Sequence, residues 1–148
     1  MSHIPSLTTV WHSDTYPAID PKRRTELSLS GGTVIITGGG SGIGRAIAVA
    51  FAEAGVASIA VLGRGREALE ETKQAIQVKY GDTAVTVYPV DVTDIEAVQA
   101  VAREVGRWDV LVSNAGYLST LESLVEADPH EWWRAFEVHP LCPSNVNP

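Results

Sequence analysis

The stretch that decides the fold is Thr33-Val-Ile-Ile-Thr37-Gly38-Gly39-Gly40-Ser41-Gly42-Ile43-Gly44. Its first five residues form a β-branched run without a polar face, the pattern of a strand buried on both sides. A glycine-rich turn follows at once, and beyond it Ile43, Ile47, Phe51 and Ala54 recur at helical spacing. Gly55 then stands where a helix C′ residue is expected. A turn between a buried strand and a helix lets the backbone approach a pyrophosphate closely. There the helix start offers unpaired N–H groups and the positive end of its dipole.

The pattern repeats downstream. Ser58 to Leu62 reads as a second buried strand, and Glu67 to Tyr80 as an amphipathic helix with Leu69, Thr72 and Ile76 inward. Ala84 to Val90 reads as a third strand. Thr93 and Glu96 have capping-box spacing, with Thr93 as N-cap of a helix carrying Val98, Val101 and Val105 on one face. Asp109 to Ser113 reads as a fourth strand. Pro129 opens a last helix, with Trp132, Phe136 and His139 on one side, and Pro140 is expected to stop it.

Strands alternating with helices imply an α/β class, a Rossmann-like, doubly wound parallel sheet of about four strands. The expected order is 3-2-1-4, with the first two helices on one face and the later two on the other. Residues 1–32 read as an irregular extension broken by Pro5, Pro17 and Pro21, with Trp11, Tyr16 and Ile19 available to pin it. Residues 33–139 are expected to form a Rossmann-like half-domain whose glycine turn suits a dinucleotide, and 140–148 an irregular tail.

Composition narrows the function. The 148 residues are 45% hydrophobic and 20% charged, enough apolar material for a packed core. A net charge of −7 argues against a nucleic-acid partner, which a basic surface normally holds, while leaving room for a small anionic cofactor at a local site. The single cysteine, Cys142, excludes an internal disulfide framework and a multi-cysteine metal site, and the four histidines lack metal-ligand spacing, so no metal site is expected. The longest apolar run, Ala46 to Ala52, is far short of a bilayer span. With no secretory pattern at the N-terminus, the expected setting is cytoplasmic, with no membrane partner.

The turn is not a P-loop. From Gly39 the pattern nearly fits, but Arg45 and Ala46 stand where Lys and Ser/Thr are required. What fits is T-G-x-x-x-G-x-G, which resembles the short-chain dehydrogenase/reductase family. Asp91-Val92-Thr93 after the third strand matches the place where that family has an adenine-contacting Asp. Ser113-Asn114-Ala115-Gly116 after the fourth strand resembles the family's N-N-A-G. The resemblance runs from about Thr33 to Val138. The leader around Trp11-His12 and Tyr16 to Asp20 also resembles extensions of some fungal members. The resemblance implies a cofactor site of Thr37, Gly38, Ser41, Gly42, Ile43, Gly44, Arg64, Asp91, Val92, Asn114, Ala115 and Gly116.

Arg64 lies where an acid would bind the ribose 2′-OH of NAD. A guanidinium there pairs with the 2′-phosphate of NADP, so NADP is favoured over NAD; the plain alternative is a solvated arginine at a helix start. Ser41 occupies the position of the family's other NADP-linked basic residue.

The resemblance implies NAD(P)-linked interconversion of a small-molecule ketone and a secondary alcohol, through a Tyr acid/base and a Lys four residues later. The lysines here are Lys22, Lys73 and Lys79, preceded at that distance by Ala18, Leu69 and Ala75, so no Tyr-x-x-x-Lys exists. Where the family's helical Asn is expected, His139 stands. No catalytic residue is therefore assigned. The abrupt change at Pro140 reads as a truncated or frame-shifted product of a longer dehydrogenase. The alternative function is a non-catalytic dinucleotide-binding or interaction fragment. In either case the fourth strand is expected at a sheet edge, where self-association follows.

Overall fold

The computed structural model describes residues 16–20, 23–123 and 125–145; for Leu27 and residues 139–145 it describes the backbone alone. Four parallel strands, β1 (Thr33–Thr37), β2 (Ser58–Gly63), β3 (Ala84–Pro89) and β4 (Val110–Val112), form one sheet in the order β3-β2-β1-β4. Four helices alternate with them: α1 (Gly42–Glu53), α2 (Arg66–Lys79), α3 (Ile95–Val105) and α4 (Pro129–Asn145). The expected class, strand order and alternation are all present.

Because side chains alternate across a strand, β1 feeds two cores. Val34 and Ile36 join Ile59, Val61 and Val85 beneath Ala48 and Ala52 of α1 and Leu69 and Ile76 of α2. Ile35 points the other way, with Ala60 and Leu62, against Val98 and Val101 of α3. Thus α1 and α2 cover one face and α3 the other, and α4 contacts α3.

Three expectations are corrected. The buried face of α1 is Gly44, Ala48 and Ala52 rather than a stripe begun by Ile43, which is 73% exposed; Ile47 and Phe51 pack from the flanks. The cause is proximity. A Cβ on Gly44 would lie 2.2 Å from the Gly38 carbonyl oxygen and 2.6 Å from Asn114 Nδ2, so only a small-residue face lets the helix come so near.

The N-cap of α3 is Asp94, not Thr93. The Asp94 carboxylate accepts from the Ala97 N–H at 3.0 Å. Thr93 is engaged elsewhere: its N–H and its hydroxyl both donate to Asp91 Oδ1, at 3.0 and 2.8 Å, closing an Asx-turn.

The third correction concerns the tail. The backbone of α4 continues through Pro140 and Pro143 to Asn145. Proline removes an N–H donor and crowds the preceding turn, yet its fixed φ is helical, so the helix is weakened there and does not end. Residues 146–148 lie outside the described residues.

The extension holds a short 3-10 turn at Thr25–Leu27 and is otherwise turn and irregular backbone where described. Leu29 packs against the α1/α2 core, and the Gly32 carbonyl accepts from the Ala57 and Ser58 N–H groups at 3.0 and 3.2 Å. Ile19 is half exposed, and Trp11 lies outside the described residues. No described helix is long and apolar enough to cross a membrane.

The cap assignment is testable. Asp94→Ala should lower unfolding free energy by about 1 kcal/mol, and restoring the acceptor as Asp94→Asn should recover most of it. Urea denaturation measures both, and an unchanged midpoint for Asp94→Ala contradicts the assigned cap.

Candidate functional site

The strand order reverses between β1 and β4, and because the two strands are parallel the chain leaves both at the same end. Such switch points open a crevice outside the C-terminal strand ends. Here the crevice is a cavity of about 650 Å3, within the range of small-molecule and cofactor sites. Every residue selected from the sequence lines it except Thr37.

Thr37 sits beneath. It is fully buried, and its hydroxyl accepts from the N–H groups of Asn114 and Ala115, each at 3.0 Å. Asn114 returns the contact: its Nδ2 donates to the Thr37 carbonyl at 3.0 Å and the Gly38 carbonyl at 3.3 Å. Thr37 therefore builds the floor by tying the end of β1 to the chain after β4. Asn114 has a cavity-facing place and a structural task together.

The glycine turn forms one wall. Gly38 adopts φ +66°, and a Cβ there would meet Asn114 Nδ2 at 2.9 Å and the Ala115 Cα at 3.0 Å. Both counts select glycine. At the start of α1, Ser41 makes no side-chain capping bond and no acidic residue stands in the first turn. The first N–H groups of a helix have no intrahelical partner, so this end is electropositive and open to an anion. Gly42, Ile43 and Gly44 carry those groups along the cavity wall.

The opposite wall comes from the ends of β2 and β3. Arg64 is exposed and follows β2 directly. Asp91 holds its carboxyl below the usual carboxylate range, chiefly because the Thr93 N–H donates to it; partial burial opposes this, and the Thr93 hydroxyl and the charges of Arg64 and Arg134 assist. Val92, buried beside it, supplies an apolar surface.

Sequence reasoning missed two groups. The first is Arg45, read only as a failed P-loop lysine. Its guanidinium donates to the Gly40 carbonyl, to Thr72 and to Glu71, joining the turn to α2. The basic residue immediately after Gly44, with Glu and Thr together on α2, was the available signal. The second lies on α4, which brings Arg134, Glu137 and Val138 to the cavity. Arg134 stacks over the Tyr117 ring at 4.7 Å and pairs with Glu131 at 3.2 Å. The Tyr117 hydroxyl donates to Glu131, and that bond raises its pKa above the ordinary tyrosine value. The i, i+3 spacing of Glu131 and Arg134 is legible in sequence; their meeting with Tyr117 is not. The His139 side chain lies outside the described residues. Among those residues no group of His, Cys, Asp and Glu could hold a metal ion.

Known proteins resemble this chain in sequence and fold. The chain is 41% identical over 138 residues to the short chain dehydrogenase tazN of Aspergillus terreus, covering 90% of this chain and 29% of that protein. It is 39% identical over 140 residues to the short chain dehydrogenase pigC of Monascus ruber, covering 90% and 45%. This chain thus spans less than half the length of either. Among solved structures, L-sorbose reductase of Gluconobacter frateurii, complexed with NADPH and L-sorbose, superposes with a TM-score of 0.74 at 34% identity, over 81% of this chain and 46% of that one. The model of the short chain dehydrogenase family matches residues 32–143, from the residue before β1 into α4. Glycine turn, strand order and sequence similarity therefore converge, and the chain belongs to the short-chain dehydrogenase family.

Proposed function

We propose that this chain is the dinucleotide-binding part of a short-chain dehydrogenase and that its cofactor is NADP(H). One observation carries the reading: the open N-terminus of α1 and the exposed Arg64 face a single cavity, from the walls that a dinucleotide's pyrophosphate and 2′-phosphate would reach. The donor set fits the group. Gly38, Ser41, Gly42, Ile43 and Gly44 would hold the pyrophosphate through backbone N–H groups. Asp91 and Val92 would hold the adenine, and Arg64 the 2′-phosphate. Asn114, Ala115 and Gly116 would carry the site toward the nicotinamide half. The NADPH seen in L-sorbose reductase supports the choice of phosphorylated cofactor. In a whole dehydrogenase of this family, bound NADPH would supply the hydride for reducing a ketone, and NADP+ would accept it from a secondary alcohol.

The 148 residues hold no Tyr-x-x-x-Lys, so the proton that must accompany hydride transfer has no donor of the family's kind. We therefore assign binding rather than turnover to this chain. The residue Arg64 brings positive charge locally to a protein of net charge −7, which suits an anionic small molecule better than a nucleic acid. A reducing, cytoplasmic setting suits its lone thiol, Cys142.

The same reading includes self-association. β4 ends the sheet and pairs only with β1 among the described residues. Leu121 and Val125 are 86% and 94% exposed, and Trp132, Trp133 and Phe136 of α4 form an exposed aromatic cluster. An open strand edge and exposed apolar side chains each favour association with another chain, and the net negative charge opposing it is screened beyond about 8 Å at physiological salt.

Three outcomes check these statements. Calorimetry on Arg64→Ala should show about tenfold weaker NADPH binding with NADH affinity nearly unchanged, as expected for one charge-assisted phosphate contact; equal changes would mean a solvated arginine. The purified chain should oxidise no NADPH above background with a panel of ketones, followed by absorbance. Steady oxidation abolished by a glycine-turn substitution would overturn the binding-only assignment. Light scattering over a concentration series should show mass rising above that of a monomer, whereas a constant monomeric mass refutes association.

A further inference from the structure

Arg45 follows Gly44 on α1, yet it is not part of the cavity wall. It grips the turn from behind. Nη2 donates to the Gly40 carbonyl at 2.6 Å, to the Ala68 carbonyl at 3.2 Å and to Glu71 Oε2 at 2.8 Å. Nε donates to the Gly40 carbonyl at 3.1 Å and to the Thr72 hydroxyl at 3.0 Å. The buried Thr72 hydroxyl in turn shares its hydrogen between the Gly39 carbonyl at 3.0 Å and the Ala68 carbonyl at 3.1 Å.

Two successive carbonyls of the turn are therefore held by side chains of α1 and α2. A trans peptide unit is planar, and its N–H points opposite to its C=O. Fixing the Gly39 carbonyl fixes the N–H of Gly40, and fixing the Gly40 carbonyl fixes the N–H of Ser41. Gly40 and Ser41 are both cavity-lining residues. Glycines alone would leave these units free to rotate, since glycine restricts φ and ψ least. A planar guanidinium can hold a carbonyl, a hydroxyl and a carboxylate together, which an ammonium on a flexible stem cannot do with the same geometry.

We propose that Arg45, buttressed by Glu71, is a positioning residue that sets the direction of the turn's N–H groups and joins the turn to α2 as one unit. The proposal rests on the dinucleotide-binding reading for its functional consequence. Because the pyrophosphate is common to NADPH and NADH, the effect of Arg45 falls on both, unlike that of Arg64.

The test uses the full chain with Arg45→Gln, Arg45→Lys and the milder Glu71→Gln. Amide hydrogen exchange of Gly39–Gly42 is read without ligand, and calorimetry gives the affinity for NADPH and NADH. Arg45→Gln should speed turn exchange and weaken both dinucleotides by about tenfold, the scale of one lost charge-assisted hydrogen bond, while α3 amides stay unchanged. Arg45→Lys should restore part of both effects, and Glu71→Gln should shift both in the same direction by less. Unchanged turn exchange in Arg45→Gln and Glu71→Gln overturns the latch. Faster exchange with unaltered affinity overturns its positioning role. If Arg45→Gln fails to fold, Glu71→Gln decides by the same two readouts. If the unmodified chain binds neither dinucleotide, the cofactor reading fails and the positioning role with it, while exchange still reports whether the latch exists.

Discussion

The buried hydroxyl of Thr37 ties the end of β1 to the chain just after β4, at the point where the strand order reverses. By accepting from the N–H groups of Asn114 and Ala115 it fixes where the chain leaving β4 meets the chain leaving β1. Everything at the site is measured from that junction. The glycine turn begins at the next residue, and Asn114 reaches back to the Thr37 and Gly38 carbonyls. A fully buried hydroxyl without partners would be costly, so the threonine is satisfied where it is most useful, at the bottom of the crevice.

From this junction the architecture is a matter of close approach. Gly44 lies so near the Gly38 carbonyl that no side chain fits, and the helix face continuing from it is alanine. The helix is thereby seated directly on the sheet, with its unpaired N–H groups presented beside the strand end. The turn's carbonyls face protein partners: Asn114, Thr72 and Arg45. A phosphate site made of backbone requires this segregation, because a carbonyl oxygen turned into the cavity would repel the anion that the N–H groups attract.

Charge is distributed on the same plan. The molecule is acidic as a whole, and its cations near the cavity have different tasks. Arg45 is engaged in the turn, Arg134 is engaged by Tyr117 and Glu131, and Arg64 stands exposed at the end of β2. Asp91, with one oxygen held by the Thr93 N–H and hydroxyl, has its charged form favoured further by Arg64 and Arg134.

The sequence alone determined the class of the fold, its strand order and half of the residues that line the cavity. These follow from local signals: a β-branched run, a glycine turn at its end, and motifs placed at successive strand ends. It also determined that no Tyr-x-x-x-Lys is present, since that is a matter of spacing. Tertiary structure decided what depends on contacts between distant segments. Ile43 faces outward because α1 approaches the sheet too closely for any face but Gly44, Ala48 and Ala52. Asp94 rather than Thr93 caps α3 because Asp91 engages the threonine. Thr37 lies under the cavity and Arg45 behind it because their partners, Asn114 and Glu71, come from the segment after β4 and from α2, far along the chain. Periodicity records which residues are apolar, but the direction of a polar side chain is set by whichever partner the fold brings within hydrogen-bond reach.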